Sequence, residues 1–349
     1  MSPSSNTPPS PLRFVGRRIA HHGAHSGYDR LVHYLPEGEL LEPPSGRLRR
    51  RILWTLYYRL LASRTPIAYY GGDEFCVEAA ALSRRMRCPR ALYHFLYGDS
   101  QLYWTARMRS HRNVVVATFH NPPGVHRALL RDDRHLRGLD AVVAVGRSQL
   151  PLLRERVGAA RVHHVPHGVD VDFFAPATEE PLPAEPHVLL VGHYLRDFVC
   201  AKEVLAALVR DGVRATVVCE AGRARDLAGT GAALRAGLND SALRSLYRQA
   251  TACLLPLHAA TANNALLEGL ACGTPLVASD VGDVREYAGD AALLVPRGDA
   301  RAHLEATRRL IDDADLRARL AVRARARALR FDWRRVAARM RALYASLFG

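Results

Sequence analysis

Residues Ala260 to Arg297, ATANNALLEGLACGTPLVASDVGDVREYAGDAALLVPR, carry the side chains whose order suggests chemistry. Thr261 or Asn263 can cap a helix whose apolar side includes Leu266, Leu267 and Leu270, and Gly273 then stops it before a strand led by Pro275. The unpaired amides at such a helix start carry roughly half an elementary positive charge, so a phosphate placed there is stabilised without a lysine. Glu268 lies about one turn inside. Two readings of it are open: a carboxylate that accepts hydrogen bonds from the hydroxyls of the same ligand, or an ordinary surface residue of a helix.

The elements around this stretch repeat a pattern. In the first half Ile67 to Tyr70, Ala91 to Leu96, Val114 to Phe119, Ala141 to Val145 and Val162 to Val165 read as buried strands. Helical segments such as Asp73 to Arg84 and Ser148 to Val157 separate them. A proline-rich and acidic stretch, Ala175 to Pro186, reads as a linker. The alternation then restarts with strands at Val188 to Val191, Ala215 to Cys219, Ala252 to Pro256, Pro275 to Ala278 and Leu293 to Val295. Helices are expected at Val204 to Arg210, Ser241 to Ala250 and Leu266 to Cys272. Strands separated by helices imply parallel sheets covered on both faces, hence an α/β class with two doubly wound halves. Ligands of such sheets bind beyond the carboxyl ends of the strands, and two facing halves are expected to form one cleft. The expected division is a tail (1–11), a first domain (12–174), the linker (175–186), a second domain (187–329) and a closing helical segment (330–349).

Composition agrees with this division. The 349 residues are 48% hydrophobic and 24% charged, which is globular and long enough for about two domains. Six scattered cysteines form no C-x-x-C pair, so neither a disulfide framework nor a zinc knuckle is expected and a reducing cytoplasm fits. The opening MSPSSNTPPSP lacks the apolar core of a secretion signal, and no run of about 18 apolar residues is present to span a bilayer. A net charge of +15 asks for an account in terms of anionic partners,. Lys202 is the single lysine, so the arginine excess reads more simply as a compositional bias. The arginines between Arg308 and Arg327 read as a solvated helix face, because no strand-borne aromatics for base stacking accompany them.

The stretch from Glu268 to Tyr287, EGLACGTPLVASDVGDVREY, resembles the signature of family 4 glycosyltransferases, retaining enzymes of the GT-B fold that use nucleotide-activated sugars. VPHGVDVDFFAP (Val165 to Pro176) resembles the segment entering that family's second domain, and LNDSALRSLYRQATACLLP (Leu238 to Pro256) the helix and strand before its donor loop. RFDWRRVAARMRALY (Arg330 to Tyr344) is similar to its terminal segment, which crosses back to the first domain. The first half matches more loosely. HHGAHSGYDRL (His21 to Leu31) resembles the glycine-bearing loop where backbone near Gly27 approaches the donor diphosphate. ATFHNPP (Ala117 to Pro123) puts His120 where family members commonly place a histidine facing the transferred sugar, and His94 sits similarly on the preceding strand. VLLVGHYLRDF (Val188 to Phe198) places Arg196 where the family supplies an arginine to the diphosphate, with Lys202 one residue later than the usual lysine. The family pairs two glutamates eight positions apart. Here Ala260 is the counterpart of the first, and Thr261, Ala262, Asn263 and Asn264 replace the usual Gly-Phe-Gly-Leu.

The resemblance implies transfer of a sugar from a nucleoside diphosphate sugar with retained anomeric configuration, without a metal or other cofactor. Arg196, the amides around Asn263, Asn264 and Ala265, and Lys202 stabilise the departing diphosphate. Glu268 holds the ribose hydroxyls, and His120 orients the sugar. The expected acceptor is a glycan or a lipid-linked molecule, and no nucleic acid partner is expected. RLRRRILWTLYYRLLASR, Arg47 to Arg64, mixes arginines with aromatics and leucines. It reads either as an interfacial helix docking a cytoplasmic enzyme on the inner face of a membrane, or as an ordinary amphipathic helix with its aromatics in the core. Two other classes share these features: a sugar-nucleotide epimerase, and a catalytically weak sugar-nucleotide-binding module, the latter suggested by Ala260.

Overall fold

The computed structural model describes residues 11–19, 23–87, 90–108, 113–130, 132–177 and 185–348. The expected tail at 1–11 falls almost entirely outside them, as do residues 178–184 of the expected linker. The chain divides into two compact units. One comprises Met1–Ala20, Tyr28–His167 and Arg334–Gly349, and the other His21–Gly27 and Gly168–Trp333.

The first unit is built on a parallel sheet of β1 (Leu12–Val15), β2 (Gly38–Leu41), β3 (Leu92–Phe95), β4 (Val114–Phe119), β5 (Ala141–Ala144) and β6 (Val162–His164). Its order is β2-β1-β3-β4-β5-β6. The central strands are buried on both faces, as β3 with LYHF and β5 with AVVA show, which is why they read as unbroken apolar runs. Ile67 to Tyr70 is not a strand. Ile67 makes only an isolated bridge to Leu130, and Tyr69 is 68% exposed. The run sits between Pro66 and Gly71, and it turns the chain into the helix Gly72–Arg87. The expectation also omitted β1, β2 and, in the second unit, β9. Each is a three- or four-residue strand, and β2 and β9 lie at sheet edges where little is buried.

The second unit carries β7 (His187–Val191), β8 (Arg214–Val218), β9 (Ala233–Arg235), β10 (Ala252–Leu255), β11 (Leu276–Ser279) and β12 (Leu293–Val295), ordered β12-β11-β10-β7-β8-β9. Relative to its own first strand this is the classic nucleotide-binding order, which reverses direction between β7 and β10. Among the described residues every strand pairing within the two sheets is parallel. The crossovers include Phe198–Arg210, Asp240–Gln249 and Asn264–Ala271. Side-chain caps on Asp197, Asn239, Asn263, Asp299 and Asp313 begin five helices of this unit, each accepting from an amide three residues on.

The arginine-rich helix Ala314–Ala328 differs from a uniformly solvated face. Arg325 donates to the carbonyls of Val171, Phe174 and Ala271, and Arg327 to those of Tyr287 and Glu286. Arg317 closes the preceding helix by donating to Leu310 and Ile311. These cations satisfy carbonyls left over at chain turns and helix ends. Part of the positive charge is therefore structural, whereas Arg319 and Arg323 remain exposed.

Candidate functional site

The loop after β7 and the helix after β10 leave the second sheet on either side of its reversal point, where open α/β sheets bind ligands. Arg196 lies in the first of these. Its side chain is 6% exposed and folds back on its own strand, with Nε and Nη2 donating to the Val191 carbonyl at 2.9 and 2.6 Å. Longer bonds of 3.4 Å reach the Tyr194 carbonyl and Asn263 Oδ1. Gly192, at φ +90, makes room: a Cβ there would sit 2.9 Å from Nη2. Burial lowers the guanidinium from 12.5 to about 10, so it stays charged at neutral pH. Of its five N–H groups, one on Nη1 is left over among the described residues.

Asn263 is the cap of Asn264–Ala271, accepting from the Leu266 amide at 3.1 Å. The amides of Asn264 and Ala265, at the first turn, have no partner among the described residues, as a helix start dictates. Asn263→Ala is expected to cost about 1 kcal/mol of stability through the lost cap, measured as a lower denaturation midpoint in urea.

Glu268 is not a surface carboxylate. It is 4% exposed, with Ser26 Oγ donating to Oε1 at 2.5 Å and Tyr247 Oη to Oε2 at 3.1 Å. Burial raises it from 4.5 to about 7, against the lowering effect of those two hydroxyls. The segment bearing Ser26 groups with the second unit. His25 anchors it: its amide donates to Asp240 Oδ2 at 2.8 Å, and its Nδ1 lies 2.7 Å from Asp170 Oδ2. The imidazole stacks on Phe173 at 3.6 Å. Gly27 follows at φ +92, a conformation side chains disfavour,. His25, Ser26, Gly27, Asn264 and Glu268 line one narrow recess. Sequence reasoning missed His25, Ser26, Asp170 and Tyr247. It also passed over the Asp-x-Asp spacing of Asp170 and Asp172 and of Asp313 and Asp315. Asp170 is committed to His25 and the Phe173 amide, and Asp313 to a helix cap. No group of three or more metal-capable side chains occurs among the described residues.

Lys202 is not part of this cluster. It is the fifth residue of Phe198–Arg210, exposed, with no polar partner among the described residues. Ala260 is 3% exposed and presents only its carbonyl, which accepts from the Asp283 amide at 3.1 Å.

In the first unit His120 ends β4. Its amide donates to Asp99 Oδ2 at 2.5 Å and its Nε2 to the Leu96 carbonyl at 2.7 Å, which leaves the lone pair of the neutral ring on Nδ1. Burial lowers its pKa, partly offset by the Asp99 charge. Asp99 positions this turn through the amides of His120 and Asn121. Burial acts to raise the Asp99 carboxyl, and His126 outweighs it. His94 is a different case. It is fully buried, with Nδ1 2.6 Å from Tyr344 Oη and Nε2 2.7 Å from Thr118 Oγ1, and burial depresses it to about 3. A neutral imidazole with both nitrogens engaged in the core has nothing to offer a sugar, so the expected contact through His94 is corrected to a packing role.

Two doubly wound parallel units are the GT-B architecture. The chain superposes on sucrose-phosphate synthase from Thermosynechococcus elongatus with a TM-score of 0.70 at 20% identity, covering 97% of this chain and 99% of that one. It also superposes on Anabaena HepE, solved in complex with UDP-glucose, with a TM-score of 0.70 at 15% identity, covering 96% and 99%. Residues 171–313 match the family described as Glycosyl transferases group 1. The D-inositol 3-phosphate glycosyltransferase of Streptosporangium roseum is 28% identical over 67% of this chain and 61% of its own length. The phosphatidyl-myo-inositol mannosyltransferase of Mycolicibacterium smegmatis is 33% identical over 56% of this chain and 54% of its own. The chain thus spans less than two thirds of the curated relatives it matches.

Proposed function

We propose that the protein is a retaining glycosyltransferase that moves a sugar from a nucleoside diphosphate sugar to a glycan or lipid-linked acceptor. The observation that carries this reading is the convergence, at the reversal point of the second sheet, of a buried arginine, unpaired helix-start amides and a buried carboxylate. The names of the relatives and the UDP-glucose bound to Anabaena HepE support the donor class.

In this reading the bond between the anomeric carbon and the diphosphate oxygen breaks. The acceptor hydroxyl bonds to that carbon on the same face, and its proton passes to the departing phosphate. The remaining N–H of Arg196 and the amides of Asn264 and Ala265 bind the oxygens whose charge grows, with Asn263 holding both groups in place. Gly27 lets the backbone approach the phosphates. Glu268 exchanges its bond from Ser26 for bonds from the ribose hydroxyls. For the first unit the reading assigns to His120 the orientation of the sugar, through Nδ1. Lys202 contributes at most a distant charge. No metal is invoked, and a reducing compartment agrees with the free, buried thiols of Cys76, Cys200, Cys219, Cys253 and Cys272.

Thermal unfolding in the presence of UDP-glucose, UDP-N-acetylglucosamine and GDP-mannose tests the donor. A ligand at 100 times its Kd adds about 2.7 kcal/mol of apparent stability, a shift of several degrees. The matching donor is expected to release nucleoside diphosphate once an acceptor is supplied, with the product anomer read by NMR. Failure of every nucleotide sugar to move the transition would overturn the reading. Ala260 favours a second reading, a binding module without transfer, which gives the same thermal shift and no release of diphosphate.

A further inference from the structure

The segment Arg47 to Arg64 forms one continuous helical run in the first unit, Arg47–Leu56 followed by a π-turn Tyr57–Leu61 and a 3-10 turn Ala62–Arg64. It carries apolar residues on two sides. The inner side docks on the helix Gly72–Arg87: Tyr57 is buried and stacks on Phe75 at 5.5 Å, Leu53 and Leu61 pack with them, and Arg50 pairs with Asp73 at 2.8 Å. The outer side is unpartnered. Leu48, Ile52, Leu56 and Leu60 follow at intervals of four and are 71%, 57%, 41% and 58% exposed. Intervals of four drift round a regular α-helix, and the wider π-turn brings Leu60 back under Leu56. Trp54 and Tyr58, in contact at 4.9 Å, lie on the other flank, where Trp54 Nε1 donates to Asp73 Oδ1 at 3.3 Å.

A single exposed leucine is ordinary, whereas four in one line are a surface with a purpose. The charge around the line says which. The run from 47 to 64 holds six arginines and no acid, and Arg47, Arg49, Arg51, Arg59 and Arg64 have no ion-pair partner among the described residues. A protein partner of ordinary composition would not need so unbalanced a rim. Leucines flanked by arginines match the layering of an anionic bilayer surface, with hydrocarbon below phosphate. We propose that Arg47 to Arg64 is a membrane-docking helix that lies in the plane of an anionic bilayer, with Leu48, Ile52, Leu56 and Leu60 inserted among the acyl chains. No helix among the described residues is long and apolar enough to cross a membrane, so attachment is peripheral. This inference does not rest on the proposed reaction.

Flotation of the full chain with vesicles tests it. Binding is expected to vesicles of phosphatidylcholine mixed equally with phosphatidylglycerol and not to phosphatidylcholine alone, and to weaken as salt rises from about 50 to about 500 mM. The double change Ile52→Asn and Leu56→Asn, at exposed positions that leave the fold intact by circular dichroism, is expected to lower partitioning at least tenfold. Arg49→Gln, Arg51→Gln and Arg59→Gln each lower it about fivefold at low salt, equivalent to ~1 kcal/mol per arginine near the surface. Three outcomes would each overturn the proposal. One is no binding to the anionic vesicles at low salt. Another is binding that arginine changes reduce and the Ile52/Leu56 change does not, which is the behaviour of a simple polyanion site. The third is a dimer dispersed by the Ile52/Leu56 change without vesicle binding.

Discussion

Arg196→Lys is expected to lower kcat about 100- to 1000-fold, the cost of removing one preorganised donor from a developing anion, while KM changes by less than about tenfold. Lysine keeps the positive charge, so a large loss isolates the geometry of the guanidinium from its charge. The native arginine holds Val191 with two N–H groups and reaches Asn263 and Tyr194 with two more. Those two bonds, at 3.4 Å, are the weakest it makes, and the N–H left over on Nη1 is the one a phosphate oxygen takes. An ammonium on a flexible stem cannot satisfy Val191 and a phosphate together. Arg196→Ala adds a second effect, since the buried Val191 carbonyl then loses its two donors at a cost of about 1–3 kcal/mol. The lysine variant is therefore the cleaner measurement. Donor turnover at the wild-type rate in Arg196→Lys would remove this residue from leaving-group stabilisation.

The parts of this site that could be read from the sequence are those that local physics dictates. The cap at Asn263 and the helix it starts follow from a polar residue before LLEGL and from Gly273 after it. The central strands follow from apolar runs such as VVVATF in β4, buried by layers on both faces. Long-range contacts are what the sequence hides. Ser26 lies 242 residues from Glu268 and Tyr344 lies 250 from His94. Nothing local to Glu268 announces that a serine hydroxyl and a tyrosine enclose it, and nothing local to His94 shows that a C-terminal tyrosine takes up its Nδ1. Lys202 fails for the opposite reason. The resemblance gives it a role beside Arg196, six positions earlier, yet Arg196 folds back on its own strand while Lys202 is exposed on the following helix. Short edge strands such as ALR in β9 carry too little apolar pattern to separate them from loop.

Glu268→Gln is expected to make the folded protein more stable at alkaline pH and donor binding weaker, and the opposite signs separate the ligand role of this carboxyl from its structural one. Burial lifts its pKa from 4.5 in an exposed chain to about 7 in the fold. Between those values the folded protein holds a proton that the unfolded chain has released, so stability falls as pH rises. The stabilisation is fully present below about pH 4.5 and is lost once pH passes about 7, a total of about 3 kcal/mol at 1.36 kcal/mol per pH unit. Glutamine keeps the shape and still accepts from Ser26 or Tyr247, but does not ionise. Urea denaturation at pH 5 is therefore expected to find the two proteins close in stability, and at pH 8 the variant ahead by about 3 kcal/mol. Donor affinity behaves in reverse. Ribose hydroxyls donating to a carboxylate favour its ionised form, so the wild type is expected to bind donor more tightly as pH rises through about 7. The variant binds about 10- to 100-fold more weakly at pH 8, the range for hydrogen bonds to a charged group, with little dependence on pH in this interval. Calorimetric titration of the nucleotide sugar at pH 6 and pH 8 measures both. Equal affinity in the two proteins at pH 8 would leave Glu268 as a buried carboxyl that holds Ser26 and Tyr247 in place, with no part in donor recognition.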